Sequence, residues 1–152
     1  MLARTPADTR LLIPGLAGFY AWAPEVGYLL LRVVIGYILF MHGWAKVQAG
    51  FGAEVGFFVK VGFAMPVLCA FAVIFLETVA AACVALGLFT RFFAAALAVE
   101  IGVMFVAIHG PKGFSASKGG YEYVLLLGMV MFFIALAGGR RYSLDRMIGK
   151  EL

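Results

Sequence analysis

Residues 66–91 read PVLCAFAVIFLETVAAACVALGLFTR, and this stretch decides what kind of molecule the chain forms. From Pro66 to Leu86 nearly every side chain is apolar, over the ~20 residues that a helix needs to cross the hydrocarbon core of a bilayer. Proline stands in the first turn, where its missing N–H costs nothing. Gly87 to Thr90 then leaves room only for a tight turn, and a new apolar run starts at Arg91. The next helix must therefore lie antiparallel beside this one. Glu77 is the sole ionisable group in the run and shares its face with Ala70, Ala80, Ala81 and Val84. Small residues at helical spacing let two backbones approach closely, so this face points into a bundle.

Three further spans are read outward from here. One runs from Arg91 to about His109, one from about Gly27 to Lys46, and one from about Gly120 to Ala137, before Gly138-Gly139. The segment Leu11–Pro24 is broken by Pro14 and Pro24 and is expected to lie along the interface, its apolar part too poor a secretory leader to be removed. Ala53–Phe63 (AEVGFFVKVGF) mixes Glu54 and Lys60 with aromatics and reads as a short interfacial helix. The expected architecture is all-α: an integral membrane four-helix bundle with short interfacial helices. Residues 1–26 form an N-terminal cytoplasmic or interfacial segment, 27–137 the four-helix domain, and 138–152 a cytoplasmic tail.

Composition agrees. Of 152 residues, 64% are hydrophobic and 13% charged, against the roughly 25% charged residues of a soluble domain. The apolar runs lack the polar stripe of a soluble helical protein. The net charge of +4 does not indicate nucleic acid, because the basic residues flank apolar runs and act as topology determinants. Arg4, Arg10, Arg32, Arg91, Arg140, Arg141, Arg146 and Lys150 fall on one side, and Lys46, Lys60, Lys112 and Lys118 on the other. That bias places both termini in the cytoplasm. Cys69 and Cys83, fourteen residues apart on one helix, are ~21 Å apart along its axis and cannot form a disulfide.

Two polar layers stand out. Arg32, Glu77 and Glu100 fall inside spans, where an ionisable group pairs, protonates or lines a cavity. Glu77 and Glu100 each lie nine residues from the 87–90 turn, hence at one depth of ~14 Å. Arg32 is expected to reach toward them, as a buried ion pair fixing helix register or as part of a protonatable core beside a ligand. The second layer, toward the other end, holds His42 with Lys46 one turn on, His109, and Tyr121, Glu122 and Tyr123. Two histidines on different helices suit axial ligation of a b-type haem, or simple hydrogen bonds to tyrosine, Glu122 or loop carbonyls. Imidazole, carboxylate and phenol together suit a quinone headgroup better, with donors for its carbonyls and acids and bases for its protons; His42, His109, Tyr121 and Glu122 are the candidates, with Phe40, Trp44 and Phe105 flanking. His109 follows Glu100 by nine residues, hence on roughly the opposite helix face, so this helix is expected not to aim both residues at one point. There is no nucleotide-binding loop, catalytic triad motif or Cys/His metal cluster. GPKGFSASKGG lacks the Lys-Ser/Thr ending of a phosphate loop and is a connector.

The order LLLRVVIG, HGWAK, FLETVAAACVALGLFTR, AIHGPKGF, GGYEYVLLL and GRRYSLD resembles the DoxX family of small bacterial membrane proteins, from about Tyr28 to Asp145. The resemblance implies a four-helix bundle in the bacterial cytoplasmic (inner) membrane. Founding members of that family are associated with thiosulfate:quinone oxidoreductase and terminal-oxidase complexes, and others with redox stress or quinone detoxification. Its characteristic arginine, histidine and glutamate positions correspond here to Arg32, His42, Glu77, His109 and Glu122. The expected function is a subunit tied to quinone-linked redox chemistry within a larger membrane complex, with other membrane or redox subunits, or further copies of itself, as partners. The alternatives are a non-catalytic accessory or assembly subunit and a proton-coupled small-molecule transporter.

Overall fold

The computed structural model describes residues 11–151, and within them the chain is a bundle of four principal helices with two short ones. Helix α1 spans Ala17–Ala49, entered through a single 3-10 turn at Pro14–Leu16. Its 33 residues extend ~50 Å, well beyond the ~30 Å hydrocarbon core. This corrects the expectation that the chain is interrupted from Leu11 to Pro24, since from Ala17 on it is continuous helix. Pro24 lies inside the helix. It removes one ladder hydrogen bond, but Pro24 and Tyr20 both face outward, so the freed Tyr20 carbonyl is turned to the surroundings and the helix continues. Arg4 and Arg10 lie outside the described residues.

Helix α2 (Phe51–Val61) is the short helix expected between the first two spans. It is set off by Gly50 and Gly62, whose φ of +93° and +88° suit glycine. Its Phe58 is fully buried with Ala70 and Val73 of the next helix. Helix α3 runs Pro66–Leu86 and helix α4 Thr90–Lys112, and with α1 they are long and apolar enough to cross a membrane. Helix α5 (Glu122–Ala137) has 16 residues, ~24 Å, and closes the bundle by packing along α4. Helix α6 (Leu144–Ile148) is a short helix of five residues at the C-terminal end. The core is formed by inward positions such as Leu39, Val84, Leu97, Leu127, Met131 and Ile134. Large apolar residues on the opposite faces, including Phe71, Phe92, Val99 and Leu126, are exposed. A bundle wrapped in such residues belongs in lipid.

Helices α3 and α4 are each interrupted by one wide π turn. In α3 it is Leu76–Ala80, where the Ala81 N–H donates to Leu76 O five residues back. In α4 it is Phe105–His109, where Gly110 N–H donates to Phe105 O. Such turns hold one extra residue and rotate everything that follows. On α1, two glycines seven residues apart set the crossing with α3. A Cβ on Gly36 would sit 2.8 Å from Ala81 O, and one on Gly43 2.6 Å from the Glu77 carbonyl carbon. The helix backbones therefore touch, with the α3 π turn seated on Gly43.

The C-terminal residues pin one end of the bundle. Arg32, 1% exposed, donates to Gly139 O and Tyr142 O, each at 2.5 Å. Tyr28 donates to Gly138 O at 2.5 Å. Buried Asp145 accepts from Phe89 N–H (2.6 Å), Thr90 N–H (3.0 Å) and the Thr90 hydroxyl (2.6 Å). It thus caps α4 and holds Phe89 in a left-handed conformation, φ +47°. Replacing Asp145 by alanine leaves those donors without an acceptor. The expected loss is about 2 kcal/mol, the upper end for a lost cap, read as a lower thermal midpoint in detergent; an unchanged midpoint would show that the cap is dispensable.

Candidate functional site

At the other end of the bundle, α1, α2, α3, α4 and α5 enclose a cavity of about 270 Å³. Its polar lining is His42 and Lys46 from α1, Glu54 from α2, Glu77 from α3, Glu100 and His109 from α4, and Tyr123 from α5; Leu39, Phe57, Ile101, Met104, Ile108, Val124 and Leu127 supply the apolar walls. His42 and Lys46 share a face because they are one helical turn apart. Glu77 is aimed inward because its π turn packs on Gly43. Lys46 Nζ donates to Glu77 Oε2 and pairs with it. Glu100 is 8% exposed, and its Oε2 is buried without a hydrogen-bond partner.

This arrangement redraws the two polar layers. Arg32 does not approach Glu77 or Glu100. It is tied to backbone carbonyls at the Arg-rich end, fourteen residues before Lys46 on the same helix, or ~21 Å along its axis. The carboxylates instead share a cavity with the histidines. The geometric reason lies in α4. In a regular helix nine residues turn about 900°, leaving His109 half a turn from Glu100. The π turn absorbs one residue, so the offset falls to about 80°, and both side chains reach one space. The expectation that α4 cannot aim both residues at one point is corrected by that turn.

Of the four candidates for a headgroup site, His42 and His109 line the cavity, while Tyr121 and Glu122 do not. His109 Nδ1 lies 2.8 Å from Gly119 O. As the donor in that bond it would leave Nε2 free to accept. Tyr121 packs edge-on between Phe105 and Phe114, with ring centroids 5.1 and 5.7 Å away. Exposed Glu122 accepts from Ala116 N–H at 3.2 Å and closes the loop before α5. Tyr123, one residue on, takes the place by the cavity, its ring 6.2 Å from that of His42.

Glu54 is the member that sequence reasoning left out of the site. As the carboxylate of an otherwise aromatic segment it was visible, but nothing local said that α2 folds back over α1 and α3. Burial raises the Glu54 carboxyl above its ordinary range, the Lys46 ammonium opposes this, and Glu77 adds to it. Glu54 therefore keeps its proton to higher pH than a solvated carboxyl. Lys46→Met should raise it further, seen as an upward shift of the Glu54 side-chain carbon titration by NMR; a downward shift would mean that Lys46 does not act on it. Among the described residues, no group of three His, Cys, Asp or Glu side chains is placed to hold a metal ion.

The DoxX family model matches residues 27–110, a segment that begins in α1 and ends just past His109. It contains every polar cavity residue except Tyr123. The chain belongs to the DoxX family. This DoxX protein is 32% identical over 128 residues to a protein of Bacillus subtilis (strain 168) named "Putative oxidoreductase CatD", a match covering 83% of this chain and 90% of that one. No solved structure matches it.

Proposed function

We propose that this DoxX protein holds the ring of a membrane quinone in the cavity and handles the protons of its reduction or oxidation, as one subunit of a larger redox assembly. The observation that carries the reading is the convergence of His42, His109, Lys46 and Tyr123 with Glu100, whose inward Oε2 has no protein partner. A buried carboxylate oxygen without a partner is costly unless something else meets it. A hydroquinone hydroxyl is such a group.

The size fits a single ring. Pockets for drug-sized ligands run from about 300 to 1,000 Å³, and this one, at about 270 Å³, lies just below. Phe57, Leu39 and Met104 offer apolar faces to a flat ring. Imidazole and phenol groups can donate to its carbonyl oxygens. Reduction adds two electrons and two protons, one proton to each oxygen, and oxidation returns them. The side chains named here can exchange protons but not electrons, so the electrons pass to and from a partner redox protein. Glu54 lines the cavity while only half-buried, which suits it to pass protons between the cavity and the outside. The name of the Bacillus relative is consistent with redox work.

The distribution of basic residues supports an orientation with both termini in the cytoplasm of a bacterium, so the cavity lies in the periplasmic half of the inner membrane. Protein isolated from its native membrane should release quinone on lipid extraction, and phospholipid alone would count against the reading. His42→Ala should lose the quinone with the assembly intact, whereas Glu122→Ala should keep it. Retention by both variants, with full activity of the assembly, would instead favour a non-catalytic accessory subunit.

A further inference from the structure

The cavity is not closed on all sides. At the Arg-rich end α1 and α5 are joined, through the Tyr28 bond to Gly138 O and the contact of the Tyr28 ring with Phe133 at 6.0 Å. Overall these two helices touch only slightly. At the other end the gap between them is spanned by the rings of His42 and Tyr123, tilted at 45° and 6.2 Å apart. Both residues are exposed while lining the cavity. His42 also lines a second, shallow depression on the outer face of α1, formed with Tyr37, Ile38, Met41 and Ala45. One imidazole therefore borders the polar interior and an apolar surface groove.

We infer that the ligand enters sideways from the bilayer between α1 and α5, and that it carries an apolar tail that lies in the α1 groove along Tyr37, Met41 and Ala45. This inference rests on the quinone reading and narrows it to a lipid-dissolved, tailed ring rather than a water-soluble one. The groove sits on α1, a helix long and apolar enough to cross a membrane, and its apolar lining suits a tail that leaves the cavity past His42 into lipid. The larger groove on the far side, between α4 and α5, is the rival exit. It shares Ile101 and Val124 with the cavity. Those residues sit in the closely packed interface of α4 with α5, and Ile101 is 5% exposed, so they act as a wall.

The test is photo-crosslinking in nanodiscs with a quinone that carries a diazirine on its alkyl tail, mapped by peptide mass spectrometry. Label should concentrate in residues 37–45 and disappear when unlabelled quinone is added in excess. Ala45→Trp, which fills the exposed groove from outside the packed bundle, should abolish that competable label. Competable label in residues 98–105 or 124–132 instead would overturn the lateral α1 path while leaving the quinone site standing. Label that excess quinone does not reduce would overturn the quinone reading itself, and this inference with it.

Discussion

Lys46→Met should cost roughly 3–5 kcal/mol of stability, the range for removing one partner of a buried ion pair. Lys46 and Glu77 are paired inside the bundle, with side-chain exposures of 26% and 10%. Glu77 also faces Glu54 and Glu100 across the cavity. Taking away the lysine leaves the Glu77 carboxylate buried without its partner in a medium of low dielectric. The sign is tested by the double variant. Lys46→Met with Glu77→Leu removes both charges and should recover most of the loss, because a buried pair is often replaceable by apolar residues of similar volume. A thermal midpoint for Lys46→Met equal to that of the parent protein would mean that the pair contributes nothing, and that the cavity tolerates its acidic side chains by hydration alone.

Gly43→Val is expected to be at least as damaging. A Cβ at this position would lie 2.6–2.8 Å from the carbonyl carbon, carbonyl oxygen and Cβ of Glu77. Two of these are backbone atoms and cannot swing aside. Overpacking costs about 1–3 kcal/mol where side chains can adjust; here α1 must move away from α3, and the upper end or more is expected. The displacement also carries Lys46 away from Glu77, so stability and ligand retention should fall together. Gly43→Ala should show the same pattern in weaker form. Gly102→Val is a fitting control, since a Cβ there meets nothing within 4 Å, and it should fold normally. Normal folding of Gly43→Val with an intact Lys46–Glu77 pair would show that the close approach of α1 to α3 is not needed.

The bundle was legible in the sequence because lipid imposes a simple rule. Runs such as 66–86 must be helices, since no other local structure satisfies the backbone inside a bilayer. The same rule predicted the 87–90 turn and the antiparallel pairing of α3 with α4. It failed at Pro24, where proline reads as a breaker, yet an outward-facing carbonyl can lose its hydrogen bond cheaply. The site was legible in its residue types but not in its grouping. His42, His109, Glu77 and Glu100 were each visible as ionisable groups in an apolar chain. Their convergence depends on a π turn at Phe105–His109, which has no signature in residue spacing, and on Arg32 being held by carbonyls of the C-terminal segment. Tyr121 and Tyr123 differ by two residues, and only the start point of α5 decides which of them faces the cavity.

In the cavity one quinone ring should touch Glu100, His42 and His109 together. Solid-state NMR on bilayer-embedded protein tests it most directly, using quinone labelled with carbon-13 at its ring carbonyls and protein labelled at glutamate and histidine side chains. Magnetisation transfer is expected from the ring to the Glu100 carboxyl and to both imidazoles, and none to Glu122. Transfer to lipid alone, or to Glu122 and not Glu100, would contradict it.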